Sequence, residues 1–93
     1  MQYNELLLKV LIDETNLHRS DGVFTWATDW LGYLPYGQYQ WLEINNKDID
    51  PRKLNFEWDL KDLVELMNLD LIVKLSEEKI SDDNAVIKFK ISL

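Results

Sequence analysis

The chain has no cysteine, one histidine, two prolines and three glycines among its 93 residues. Without thiols there is no disulfide, no thiolate metal site and no cysteine nucleophile, and a small chain that folds without such staples is expected in the cytoplasm. His18 alone cannot build a histidine metal centre, because zinc and its relatives take three or four such ligands. Glu14 stands four residues earlier, so a helix places the two on one side, yet nothing else has ligand spacing. Ser20 follows His18 too closely to serve easily as its nucleophile partner. Gly22, Gly32 and Gly37 are scattered, so there is no glycine-rich phosphate loop. Long apolar runs are missing as well. Lys9 interrupts the N-terminal MQYNELLLKVLIDE, no basic stretch precedes it and no small-residue cleavage site follows, so neither a leader nor a membrane span is expected.

Bases are scarce relative to acids. Ten Lys and Arg against seventeen Asp and Glu leave a formal charge of −7, which repels phosphate backbones and anionic lipid and disfavours direct nucleic-acid or membrane binding. The excess is concentrated. Between Glu57 and Asp83, nine acids (57, 59, 62, 65, 70, 77, 78, 82 and 83) face only Lys61, Lys74 and Lys79, a local net of −6. Such charge serves solubility in many proteins, and it can also form an anionic face for a basic partner.

What is present is a globular composition, 46% hydrophobic and 12% aromatic, at a length that fits one domain over residues 1–93. Asn4 can cap a first helix through ELLLKVLIDETNLH, where Tyr3, Leu7, Val10 and Leu11 share a face; a buried strand over 5–12 is the competing reading. After the turn-forming RSDG, VFTWAT (23–28) reads as a strand with Phe24 and Trp26 on one face, and YQWLEI (39–44) as a second. NNKDIDPR (45–52) reads as a polar loop, and KLNFEWDL, with Leu54, Phe56 and Trp58 inward, as a third strand. Asp59 then caps a short second helix carrying Leu63, Val64 and Met67 on one side, with Asp62 three residues on making an imperfect capping box. DLIVKL (70–75) and NAVIKFKISL (84–93) close the order α-β-β-β-α-β-β; Lys88 and Lys90 suit an exposed edge strand. The expected fold is α+β, two helices on one face of a mainly antiparallel sheet of four or five strands. Its core is expected to use Leu7, Val10, Leu11, Phe24, Trp26, Trp41, Phe56, Trp58, Leu63, Val64, Met67, Ile87 and Phe89.

One pattern resembles a calcium loop: Asn46, Asp48, Asp50 and Glu57 fall at positions 1, 3, 5 and 12 of such a loop. Pro51 occupies the sixth place, where the sharp turn needs glycine, and Lys53 the eighth, so an ordinary polar turn is the better account. Carboxylates abound, but none comes with a partner and a cleft that would raise its pKa. No enzyme activity, metal or cofactor is expected.

TDWLGYLPYGQYQW (28–41) interleaves Trp30, Tyr33, Tyr36, Tyr39 and Trp41 with two glycines and Pro35, which rules against a helix. Such rings close a small core or supply binding hot spots. Trp26 and Trp41 are assigned here to the core, with Tyr33 and Tyr36 at an exposed tip. Rings and acids together suit a protein antagonist, of the immunity-protein or inhibitor kind, that blocks a basic enzyme such as a nuclease or toxin. Its partner-binding residues are taken as Tyr33, Tyr36, Glu57, Asp59, Asp62 and Glu65. Two other functions fit the same composition: an accessory subunit of a larger assembly, and a small-molecule or carbohydrate-binding module that stacks its ligand on Trp30 and Tyr33.

Overall fold

The structure, a computed structural model, describes residues 3–30, 38–80 and 84–92, with backbone alone at Trp30 and Gln38. Asn4 starts α1 (Glu5–Leu17) by accepting the Leu7 amide at 3.0 Å on its side-chain oxygen, which satisfies one of the first turn's orphan donors. Leu7, Leu8 and Leu11 form the buried stripe of the helix. The chain then reverses through residues with positive φ (Arg19, Asp21 and Gly22) into the sheet. At Gly22 (φ +79°) a Cβ would lie 3.4 Å from the Ile91 carbonyl oxygen, and the Gly22 carbonyl accepts the Ile91 amide at 2.9 Å. Glycine meets both demands at no steric cost.

Five antiparallel strands form one sheet in the order β3-β2-β1-β5-β4: β1 (Val23–Trp30), β2 (Gln38–Ile44), β3 (Lys47–Asp48), β4 (Ile72–Lys79) and β5 (Ala85–Ile91). The fold is thus α+β, as the alternation implied, with α1 and α2 (Leu60–Asn68) on a single face. Register sets which side chains reach that face. Trp26 stands opposite Leu42 on one neighbour and Ile87 on the other, and Phe24 opposite Phe89, whose ring lies 5.5 Å from it, centroid to centroid.

Several elements differ from the sequence reading. The third strand is not 53–58. Asp50 caps a single 3-10 turn, Pro51–Leu54, in which proline's fixed φ and missing N–H suit a first turn and not a ladder. Residues 55–59 form neither helix nor strand, although burial still alternates, with Leu54, Phe56 and Trp58 half-buried and Asn55, Glu57 and Asp59 exposed. The period-2 pattern therefore marks a segment lying over the core without a paired strand beside it. The actual third strand is the two-residue β3 inside the expected loop. Its connection is Asn45-Asn46, both at positive φ (54° and 67°), between the paired Ile44 and Lys47. That is the signature of a two-residue hairpin turn of the type I′ kind.

Nor is the last strand at the edge. Lys88 and Lys90 belong to β5, between β1 and β4, and the edge is β4, which runs on to Lys79 with a bulge between Lys74 and Ser76. A bulge and exposed Lys74, Glu77 and Glu78 are the guards this edge carries. The core contains Leu7, Leu11, Phe24, Trp26, Leu63, Ile87 and Phe89 as read from the sequence, with Val10, Phe56, Trp58 and Met67 packed half-buried against it. Trp41 and Val64 are outside it. Trp41 lies on the opposite face of β2, where its neighbours Leu42 and Ile44 point inward, and Val64 is 38% exposed, with Leu66 buried in its place.

Two stability measurements follow. Phe89→Ala, which empties a ring-sized volume beneath Phe24, should lower unfolding free energy by about 3–5 kcal/mol in a urea titration; an unchanged midpoint would mean that the inner face of β5 is misassigned. Asn46→Gly relieves a left-handed backbone that asparagine holds at some cost, and should raise stability by about 0.5 kcal/mol.

Candidate functional site

Of the acids chosen from the sequence, Asp59 and Asp62 meet at the start of α2, Glu57 precedes it and Glu65 lies within the helix. Asp59 accepts the Lys61 amide at 2.8 Å, and Asp62 accepts the Asp59 amide at 2.9 Å, so the capping box is complete. Both carboxylates also lie at the positive end of the helix dipole, which favours their charge there. Two of the four acids therefore serve the helix before they serve any partner. Glu57 and Glu65 are exposed, and their side chains make no hydrogen bond or ion pair among the described residues. Lys61 sits among these acids: with Leu60, Val64 and Glu65 it lines one shallow hollow on the outer side of α2.

What fixes this helix start against the sheet is a relay through Gln40. The Trp26 indole nitrogen donates to the Gln40 side-chain oxygen at 3.0 Å, and the Gln40 amide donates to the Trp58 carbonyl at 3.1 Å. The side chain of Asn4 donates to the Glu57 carbonyl at 3.1 Å, a second tie on the same segment. As a result Asp59, Leu60 and Lys61 share a shallow cleft with Trp26, Thr28 and Gln40. That cleft lies at the end of the sheet where β1 runs out at Trp30 and β2 enters at Gln38. Residues 31–37, which hold Tyr33 and Tyr36, connect these two strand ends and lie outside the described residues. Of the four acids, Asp59 is thus the one placed in a cleft with β1 and β2 near the strand ends that residues 31–37 connect.

A second surface was missed. On the face of the sheet away from the helices, Tyr39 and Trp41 stack with ring centroids 5.3 Å apart, and the Trp41 indole nitrogen donates to a Glu43 carboxylate oxygen. No described helix or loop packs over this face. The signal was the parity of QYQWLEI: once Leu42 and Ile44 point inward, Tyr39 and Trp41 must point out.

Glu14 is 4% exposed and binds Lys53 Nζ at 2.6 Å, with His18 Nε2 at 3.6 Å on its other oxygen. The helical spacing of Glu14 and His18 was legible, whereas Lys53, reached from the 3-10 turn, was not. The bridge clamps that turn to α1. In the calcium-like stretch, Asp50 takes both the Arg52 amide and its guanidinium, at 2.8–3.2 Å. The guanidinium hydrogen bonds hold its carboxyl well below the usual carboxylate range, at about 2. Asp48 meanwhile belongs to β3 and Asn46 to the hairpin turn, so the four residues do not converge as a loop of ligands. Among the described residues no group of three or more His, Asp or Glu is placed to hold a metal, and no described helix is long and apolar enough to cross a membrane.

Comparison with protein-family models, with curated proteins and with solved structures finds no match to this chain.

The two kinds of acid separate by mutation. Asp59→Ala should cost about 1 kcal/mol through loss of the cap, and Asp62→Ala about half that, whereas Glu65→Lys should stay within about 0.5 kcal/mol of the parent in chemical denaturation.

Proposed function

We propose that this chain is a protein antagonist: an acidic domain that binds a basic protein, such as a nuclease or toxin, and occludes its working surface. The observation that carries this reading is the run of carboxylates Glu57, Asp59, Asp62 and Glu65 leading into and along α2, with Asp59 in a cleft beside Trp26, Thr28 and Gln40, near the strand ends that residues 31–37 connect. Carboxylates on a rigid, capped helix start present a fixed field to an approaching cation-rich surface and raise its rate of encounter. Tyr33 and Tyr36, brought into the same contact, would supply the buried area that slows departure. The net charge of −7 acts in the same direction over longer range.

Glu57 and Glu65 are the residues on which to test this reading, because reversing them leaves the capping box in place. The chain is used as bait at low ionic strength, and a captured basic protein is assayed for loss of its own activity as the chain is added. Glu57→Lys with Glu65→Lys should then slow association by roughly tenfold and flatten its salt dependence, with helix content unchanged. Tyr36→Ala should chiefly raise the dissociation rate. A captured protein whose activity is untouched, or whose association is indifferent to both salt and the double reversal, would refute the antagonist reading.

A further inference from the structure

The face of the sheet that no described helix covers has a charge arrangement with a particular symmetry. Two cross-strand rows define it. In one, Glu43 on β2 and Lys88 on β5 flank Thr25 of β1; in the next, Trp41 and Val86 flank Ala27. Side chains paired across neighbouring strands stand on the same face, so all six project away from the helices. Ala27 is only 3% exposed between its larger neighbours, which leaves β1 as the shallow midline of this face. An acid lies one strand to one side of the midline and a base one strand to the other side. Within the chain they do not pair: Glu43 is engaged by the Trp41 indole, and Lys88 makes no ion pair among the described residues.

We propose that this face binds a second copy of the chain, sheet against sheet, about a two-fold axis running along β1. That axis exchanges β2 with β5. It sets Glu43 against the partner's Lys88, and Lys88 against the partner's Glu43, while Trp41 covers the partner's Val86. An axis across the strands instead places each Lys88 over the partner's β5, which holds no carboxylate, so the Glu43 and Lys88 pair selects the first arrangement, in which Thr25, Ala27 and Asp29 of β1 lie against their own copies. A uniformly basic partner, of the kind inferred for the acidic end, would meet Lys88 and Lys90 here and be repelled.

The surroundings suit burial. Tyr39 stacks on Trp41 and fixes its ring, and the indole N–H is already satisfied by Glu43, so covering the ring leaves no donor unpaired. The other Glu43 oxygen remains for an ammonium group. Twisted antiparallel sheets pack face to face about 10 Å apart at an angle of about −30°, a distance that long side chains such as Trp, Glu and Lys bridge. The contact is isologous, so each pairing occurs twice.

Sedimentation velocity on the intact chain tests this. The parent should sediment at twice the 11.1 kDa chain mass as concentration rises toward about 1 mM. Glu43→Lys alone sets lysine against lysine at both facing pairs, and Lys88→Glu alone sets carboxylate against carboxylate. Each should weaken self-association by roughly tenfold or more. Mixing the two variants should restore a mixed dimer, because both of its facing pairs are again opposite in sign, and the double variant Glu43→Lys with Lys88→Glu should restore self-association for the same reason. Isotope-filtered NMR on a half-labelled parent sample should also show Trp41 ring to Val86 methyl contacts between chains, a readout that needs no mutation. A parent that remains monomeric at about 1 mM overturns the proposal. So does a dimer that both single reversals leave intact, or one that the double reversal does not rescue.

Discussion

The Gln40 side-chain amide joins two parts of the chain that share no strand pairing, and the placement of the second helix depends on it. Its oxygen satisfies the indole of the buried Trp26, and its nitrogen satisfies the carbonyl of Trp58. Each such bond contributes only about 1 kcal/mol net, but leaving either partner dry and unpaired would cost about 1–3 kcal/mol. The segment from Asn55 to Asp59 has no ladder of its own, so this bond and that from Asn4 are what fix its path over the core. With Trp58 held, Asp59 meets Asp62 in the capping box, and α2 starts in the phase that buries Leu63 and Leu66 and leaves Glu65 outside.

All the large buried side chains lie on one side of the sheet, and the two sides of β2 show the consequence. Leu42 and Ile44 are sealed beneath α1 and its neighbours, while Tyr39, one pleat away on the other side, is 50% exposed. A two-layer domain of this size has no third layer to offer, so its second sheet face must be tolerable to water or be covered by another molecule. Here it is divided. Thr25, Lys88 and Lys90 keep one part polar, and the stacked Tyr39 and Trp41 make the other apolar. Exposed aromatic surface rimmed by charge is characteristic of contact surfaces.

Where the governing interactions are local, the sequence was readable. Asn4 and Asp59 act on amides two or three residues ahead, so the caps could be recognised from short patterns, and the same holds for the parity of Phe24, Trp26, Ile87 and Phe89. YQWLEI was harder because both of its faces carry apolar side chains; only pairing with β1 decides that Leu42, and not Trp41, goes inward. KLNFEW misled for a different reason. Alternating burial was inferred correctly, but alternation reports an extended path and not a hydrogen-bonded neighbour, and Pro51 and Asp50 had already begun a 3-10 turn. Lys53 reaching Glu14, and Gln40 reaching Trp58, are contacts between segments whose relative position no local pattern specifies. The edge was misplaced likewise: Lys88 and Lys90 look like guards, yet what they flank is the outer side of a central strand.

Charge in this molecule is sorted by surface, and the sorting keeps the two inferred contacts from competing. The four acids from Glu57 to Glu65 have one base, Lys61, between them in the chain, so that stretch carries a net negative charge. On the open sheet face, Glu43 is matched by Lys88 across β1, and Lys90 lies 3.7 Å from Asp21, so charge there sets orientation more than it attracts from afar. A two-fold axis along β1 leaves strand direction unchanged. Two copies related by it therefore carry their β1–β2 hairpin ends at the same end of the pair, each with its own α2 start beside it. Self-association in that geometry leaves both acidic ends exposed and doubles the negative field at one pole. A basic partner with two sites, or two partners side by side, would then gain from the pair what a single chain cannot supply, because the second contact forms at a high effective concentration.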